Sequence, residues 1–230
     1  MRQIADGRSS SPLLDVKNSA LAAPNLRSRA ECAIHFTCLL IIFMLASCAT
    51  RDTQHQVVIS TREQKLAVLE RGNLMAIYPV STSKFGLGDW PGSYRTPLGE
   101  LEIAQKIGEG ALPGTVFKDR RRTGEIVAPD SPGRDPIVTR ILWLRGRERQ
   151  NANAFVRDIY IHGTPEERNI GLPVSYGCIR MRSNDIVNLY DIVGRGAQVT
   201  IVDAPLAAVI PGFSAGTQMA GGNSASMVIR

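Results

Sequence analysis

Two segments carry side chains able to do covalent chemistry. Ile159-Tyr160-Ile161-His162-Gly163-Thr164 runs an apolar stretch into a histidine, and Ser175-Tyr176-Gly177-Cys178-Ile179-Arg180-Met181 sets a cysteine in a turn. A cysteine at its free pKa of about 8.5 is only a few per cent thiolate near pH 7. It needs a base, and histidine titrates in the right range. Alone, a histidine at a strand end is more often structural, and a single cysteine more often a small buried hydrophobe; the pairing carries the argument. Gly177 lets the backbone approach a substrate and turn N–H groups toward a developing oxyanion. Cys178 falls a few residues before an expected helix start, where free N–H groups favour a thiolate. Pro165, Gly171 and Pro173 interrupt the stretch between His162 and Cys178, so the chain can fold back there.

The elements that must position these residues are mostly short. Lys65–Glu70 and Leu74–Val80 read as a hairpin around Arg71-Gly72-Asn73. A strand is expected at Glu100–Ile107, and the apolar, β-branched runs Ile137–Leu144 and Phe155–Ile161 read as central strands. Ser183–Val193 has Ile186, Leu189, Tyr190 and Val193 on one helical face, with Ser183 or Asn184 as cap and Gly194 as an αL terminator. Val199–Val202 closes the domain as a strand. Many short strands with one convincing helix predict a mainly β catalytic domain over residues 64–203. The small-residue, Gly/Ser-rich segment 204–230 reads as a disordered tail.

The chain has 230 residues and a formal net charge of +6. Its basic residues are scattered, and the run Lys118-Asp119-Arg120-Arg121-Arg122 lies in a polar, Gly/Pro-rich stretch that reads as a solvated loop. No zinc-finger spacing, RNA-binding aromatic pattern or phosphate loop accompanies the charge, so nucleic acid is not the expected partner. With His55 the one other histidine after the N-terminal segment, no metal-ligand set is found and no cofactor is called for.

Arg27 and Arg29 precede a mostly apolar run, Ala33 to Ala46, that ends in Leu45-Ala46-Ser47-Cys48. A basic region, an apolar core and small residues at a cut site make an export signal. The run is short for roughly 30 Å of hydrocarbon. Leu-Ala-Ser-Cys resembles the bacterial lipoprotein lipobox, which implies a signal over 1–47, lipidation of Cys48, a tether over 48–63 and a membrane-anchored protein. A plain secretory signal or a poor transmembrane anchor stays open. Cys32 and Cys38 would leave with the signal, making Cys178 the free thiol of the mature chain.

The order His-Gly-Thr, a short loop, then Ser-x-Gly-Cys-Ile-Arg-Met resembles the signature of L,D-transpeptidases of the YkuD type. Tyr78-Pro79-Val80-Ser81-Thr82 and Thr96-Pro97-Leu98-Gly99 extend the likeness upstream, and Asp185 and the Gly194–Val202 strand extend it downstream. The resemblance implies a YkuD-like β-sandwich or open-barrel domain with one or two helices, and peptidoglycan as substrate. It makes Cys178 the nucleophile and His162 its base. The Gly163 carbonyl would orient the His162 ring, N–H groups of Gly177, Cys178 and Tyr176 would line the oxyanion hole, Arg180 would bind and orient the substrate or orient the loop, and Ser175 would contact substrate. Family members commonly carry a second histidine where Tyr176 stands. The acceptor of the acyl group is open between a stem peptide, a protein and water, and a non-catalytic wall-binding lipoprotein is a further alternative. A periplasmic, lipid-anchored location follows, with the outer membrane favoured because Ala49 offers no acidic retention signal.

Overall fold

A computed structural model describes residues 51–213 and 227–228. The lipid expected on Cys48 and the signal expected over 1–47 lie outside the described residues. The strands are β1 (His55–Ser60), β2 (Lys65–Glu70), β3 (Asn73–Pro79), β4 (Gly99–Ile107), β5 (Thr115–Lys118), β6 (Arg121–Ile126), β7 (Ile137–Gly146), β8 (Tyr160–Gly163), β9 (Ile179–Met181), β10 (Gln198–Val202) and β11 (Met227–Val228). One α-helix, α1 (Ser183–Ile192), joins them among the described residues. The domain is mainly β, as expected.

The sheet runs β11-β3-β2-β1-β10-β4-β7-β5-β6, with β8 paired to β7 and β9 to β8. Most pairs are antiparallel; β1 with β10 and β8 with β9 are parallel. The sheet curls around one apolar core in which Val57, Ile59, Leu101, Leu142, Ile161, Ile179 and Val199 meet Ile186, Leu189 and Tyr190 of α1. On β1, β2 and β7 successive side chains are apolar, so one face enters this core while the other meets smaller clusters around Leu206 and Phe117.

The expected hairpin, β4, β7, β10 and α1 form within a residue or two of their sequence bounds. Other expectations change. Residues 55–60 are not tether but a strand between β2 and β10, because Val57-Val58-Ile59 is a buried β-branched run behind a polar leader. Phe155–Asp158 is turn rather than strand: the Asp158 N–H donates to Phe155 O, and Asp158 sits at φ 57°. The basic run 118–122 is the tip of the β5–β6 hairpin, with Asp119 and Arg120 both left-handed. Neither Ser183 nor Asn184 caps α1; the cap position is Arg182, and the Ser183 N–H donates instead to Glu167 Oε1 at 2.8 Å. Nor is Gly194 left-handed. A Cβ there would meet Asp52 Cβ at 2.7 Å, so close packing is what requires glycine. Of the expected tail, residues 206–210 pack: Leu206 and Ile210 are buried against Val58, Ala67 and Leu69.

Asp52 fastens the start of the domain. Its carboxylate accepts from the Gly194 N–H at 2.6 Å, from the N–H groups of Gln54 and His55, and from the His55 ring at 2.9 Å. Burial works against the charge, but these donors outweigh it and hold the carboxyl below its usual range. A depressed carboxyl contributes stability that is present above the unfolded-state pKa and lost as pH falls through the folded one. Asp52→Ala is therefore expected to cost about 1–3 kcal/mol in urea unfolding at pH 7, and to flatten the loss of stability below about pH 4. An unchanged midpoint at pH 7 would show that the domain does not depend on this residue.

Candidate active site

Strand β8 owes its place to β7, with Ile161 facing Leu142 and His162 facing Ile141. Between Val138 and Ile141 the register slips, and Thr139 takes φ 72°, an unusual conformation for a β-branched residue. Its hydroxyl donates to Ser183 Oγ and accepts from the Gly114 N–H, each at 2.9 Å, which holds the strained turn in place. The bulge wraps Gly163: a Cβ there would come within 2.7 Å of Val138 O and 3.1 Å of Thr139 Cβ.

Strand β9 then lies parallel to β8, pairing Ile161 with Ile179 and His162 with Arg180. Opposed residues in a ladder share a face and alternate along it. Ile161 and Ile179 enter the core, so His162 and Arg180 take the other face, with Cys178 two residues before Arg180 on that same side. His162 and Cys178 are thus diagonal neighbours, a separation that side chains in a sheet can bridge.

The His162 ring has one proton position defined by its partner. Nδ1 is 2.8 Å from Gly163 O, which can only accept, so Nδ1 carries the hydrogen and Nε2 is the basic nitrogen. The ring is buried; that burial, with the nearby Arg180 charge, brings its pKa down to about 4 against the opposing hydrogen bond to Gly163. The Cys178 thiol donates to Asp158 O at 3.3 Å. Burial pushes this thiol up to about 11, although the Tyr160 N–H and the Arg180 charge work the other way. The two shifts oppose proton transfer at rest, so the resting pair is a neutral thiol beside a neutral imidazole.

The turn before Cys178 is braced from three sides. Ser175 is buried; its hydroxyl donates to Cys178 O at 2.6 Å and accepts from the Gly177 N–H at 3.3 Å. Its own N–H donates to Thr82 O. Thr96 Oγ1 donates to Gly177 O at 3.0 Å, which locks the 81–98 loop onto the turn. Gly177 sits at φ 117°, with space for a Cβ limited by Arg95 O at 3.2 Å. Ser175, expected to touch substrate, instead builds the turn, and the oxyanion donor expected at Gly177 is engaged by it at rest.

Arg180 is also a brace. Its guanidinium is nearly buried, 2.6 Å from Asp135 Oδ2 and 3.6 Å from Glu166 Oε2, and Asp135 accepts from Thr164 Oγ1. It ties the 164–178 crossover to the loop before β7 and adds positive charge near the thiol and the imidazole. The Tyr176 side chain is exposed; its hydroxyl accepts from Lys84 Nζ at 3.0 Å, and its ring centre lies 5.9 Å from the Arg180 guanidinium. Asp158, the thiol's partner, was invisible in the sequence because its role lies in a backbone carbonyl set by a left-handed turn. Its carboxylate pairs with Arg120 at 3.0 Å, and Arg120 also donates to Tyr160 Oη at 3.1 Å. No cluster of three metal-ligating side chains occurs among the described residues.

A mainly β domain with a cysteine and a histidine on one face of a parallel strand pair defines a class of cysteine–histidine sites. Residues 54–201 match the family model described as the L,D-transpeptidase catalytic domain, of the YkuD type, and the chain belongs to that family. It is similar to two Escherichia coli K12 proteins. "Probable L,D-transpeptidase YbiS" is 30% identical over 164 residues, covering 68% of this chain and 48% of that protein. "Probable L,D-transpeptidase YcfS" is 27% identical over 154 residues, covering 65% and 44%. The chain therefore spans less than half the length of either. A solved L,D-transpeptidase from Mycobacterium smegmatis aligns with a TM-score of 0.42 at 20% identity, over 65% of this chain and 58% of that one.

The opposed shifts lead to a measurable expectation. Below about pH 11 the thiol is protonated, so alkylation of Cys178 by iodoacetamide in the native protein should rise about tenfold per pH unit between pH 7 and 10. In urea-unfolded protein the rise should level off near pH 9. A native rate that is already flat at pH 8 would mean that the thiolate is the resting form.

Proposed function

We propose that the chain is a cysteine-dependent L,D-transpeptidase acting on peptidoglycan stem peptides, held to the cell envelope by a lipid on Cys48. The observation that carries the catalytic reading is the His162 ring, fixed by Gly163 O with its basic Nε2 on the sheet face that bears Cys178.

In the proposed reaction the thiol leaves Asp158 O and passes its proton to His162 Nε2. Cys178 Sγ attacks the carbonyl carbon of the third stem residue. The N–H groups of Cys178 and Gly177 would receive the oxyanion, the latter released from Ser175 Oγ, and Arg180 would favour the thiolate. His162 gives the proton to the leaving amine, D-alanine departs and a thioester remains. An amine then attacks the thioester and loses its proton to His162, and the thiol is regenerated. A stem-peptide amine gives a 3–3 crosslink and a protein amine anchors that protein to the wall; water would make the chain a carboxypeptidase.

The buried His162 ring suits this scheme, because water held away from the base leaves the thioester for the amine. The low proton affinity of His162 keeps the base neutral in mildly acidic medium.

With disaccharide tetrapeptide and an amine acceptor, the chain should release D-alanine and give the mass of the amide product. Cys178→Ala should abolish turnover, and His162→Ala should lower kcat/KM on the order of 10²-fold or more. Near wild-type turnover by Cys178→Ala would end the proposal. D-alanine release with only the tripeptide acid as product would assign hydrolysis instead.

The anchor has its own test. Mass spectrometry of the N-terminus from membranes should find acylated Cys48 with nothing before it. An unmodified N-terminus on soluble protein would replace the anchor with ordinary secretion.

A further inference from the structure

Among the described residues the exposed aromatic side chains are Phe85, Trp90, Tyr94 and Tyr176, three from the 81–98 loop and one from the turn it grips. Phe85, Tyr94 and Tyr176 form a three-ring cluster, with centroids 5.6 Å, 5.9 Å and 6.1 Å apart. Lys84 Nζ lies 4.4 Å from the Tyr176 ring centre and 5.3 Å from that of Phe85, while donating to Tyr176 Oη. Grouped exposed rings beside a nucleophile mark a binding surface, since isolated apolar side chains are normal but patches are not.

The loop is built to hold these rings outward. Ser83 Oγ donates to Tyr94 O at 2.5 Å and accepts from the Phe85 N–H at 3.0 Å, and the Lys84 N–H donates to Ser175 O at 3.1 Å. Tyr94 is kept at φ 54°, a conformation costly for a non-glycine residue. Beneath the loop, Asp89 and Arg157 form a buried ion pair at 2.7 Å, and Asp89 also accepts from the Asn153 N–H. The rings are therefore displayed by a rigid loop.

Resting on the proposed function, we infer that this cluster is the seat of the glycan that carries the donor stem: a β-linked N-acetylated disaccharide whose ring faces stack on Phe85, Tyr94 and Tyr176. Two chemical features select a sugar. The patch is aromatic, while the exposed large aliphatics Leu112, Ile126, Val156, Leu172 and Val209 lie outside its two segments, and flat rings match the C–H faces of pyranoses. Lys84 supplies an ammonium with three donors, only one of them given to Tyr176, for acetamido or ring oxygens.

Reach agrees. Two steps of about 3.8 Å keep the Tyr176 Cα within about 7.6 Å of that of Cys178, and three extended residues span about 10 Å. A stem whose third carbonyl meets the thiol brings its sugar over the cluster. Tyr176 thus belongs to the binding surface.

The test measures binding without turnover. The full chain carrying Cys178→Ala is titrated with disaccharide tetrapeptide and with the free tetrapeptide. The disaccharide should tighten binding at least tenfold, and adding Phe85→Leu with Lys84→Ala should bring the two ligands within about twofold. Leucine keeps apolar bulk while removing the flat face. If that chain does not fold by circular dichroism, Phe85→Leu alone is read and should lose at least half of the preference on a logarithmic scale. Equal binding of the two ligands to Cys178→Ala, or a preference untouched by these substitutions, overturns the inference. Thioester formation on the unaltered chain is followed separately. A preference for the disaccharide ligand without any thioester keeps the glycan seat and removes the transpeptidase reading; thioester formation with equal binding does the reverse.

Discussion

The parallel pairing of β8 with β9 is the constraint on which the site depends. Parallel neighbours cannot be joined by a tight turn and need a connection of a dozen residues or more. The stretch from Thr164 to Gly177 is that connection, and it carries only a short 3₁₀ turn at Glu167–Asn169. Beyond that turn's own bonds, the crossover is held by the Gly171 N–H to Val80 O and the Ser175 N–H to Thr82 O, and by side chains: Arg180 to Asp135 and Glu166, Ser81 Oγ to Asn169 O, and Thr96 to Gly177 O. Displacing β9 by one residue would turn Cys178 to the opposite face.

Much of this was legible in the sequence because His162 and Cys178 sit in contiguous motifs. His162-Gly163 ends an apolar run, and Cys178 follows Gly177 in a turn ahead of an amphipathic helix. What escaped was set by tertiary contact. β1 hides three apolar residues behind Arg51-Asp52-Thr53-Gln54, which looks like linker until β10 is found beside it. β9 is only Ile179-Arg180-Met181 and has no periodicity to detect. Phe155 looked like strand, yet it stacks on Trp143 at 4.0 Å from a turn, so an aromatic signal was genuine and its backbone assignment was not. Ser175 and Arg180 were legible as important, but their work is within the protein.

Loop 81–98 shows how buried charge can serve geometry. Replacing a buried ion pair by apolar residues is often tolerated, whereas removing one partner costs about 3–5 kcal/mol. Arg157 does more than neutralise Asp89: it also donates to Arg95 O at 2.8 Å and Gly88 O at 3.2 Å. One guanidinium thus fixes both ends of the 88–95 segment relative to the chain that leads into β8.

The burial that raises the Cys178 thiol has a consequence for chemical durability. Peroxides and disulfides attack thiolates, and a thiol moved from 9.0 to about 11 exposes roughly a hundredfold less thiolate at neutral pH. Sulfenic acid formation and mixed-disulfide exchange slow by less than that factor, because a more basic thiolate is also more nucleophilic. A chain of this kind would persist under oxidants that would consume a permanently ionised cysteine.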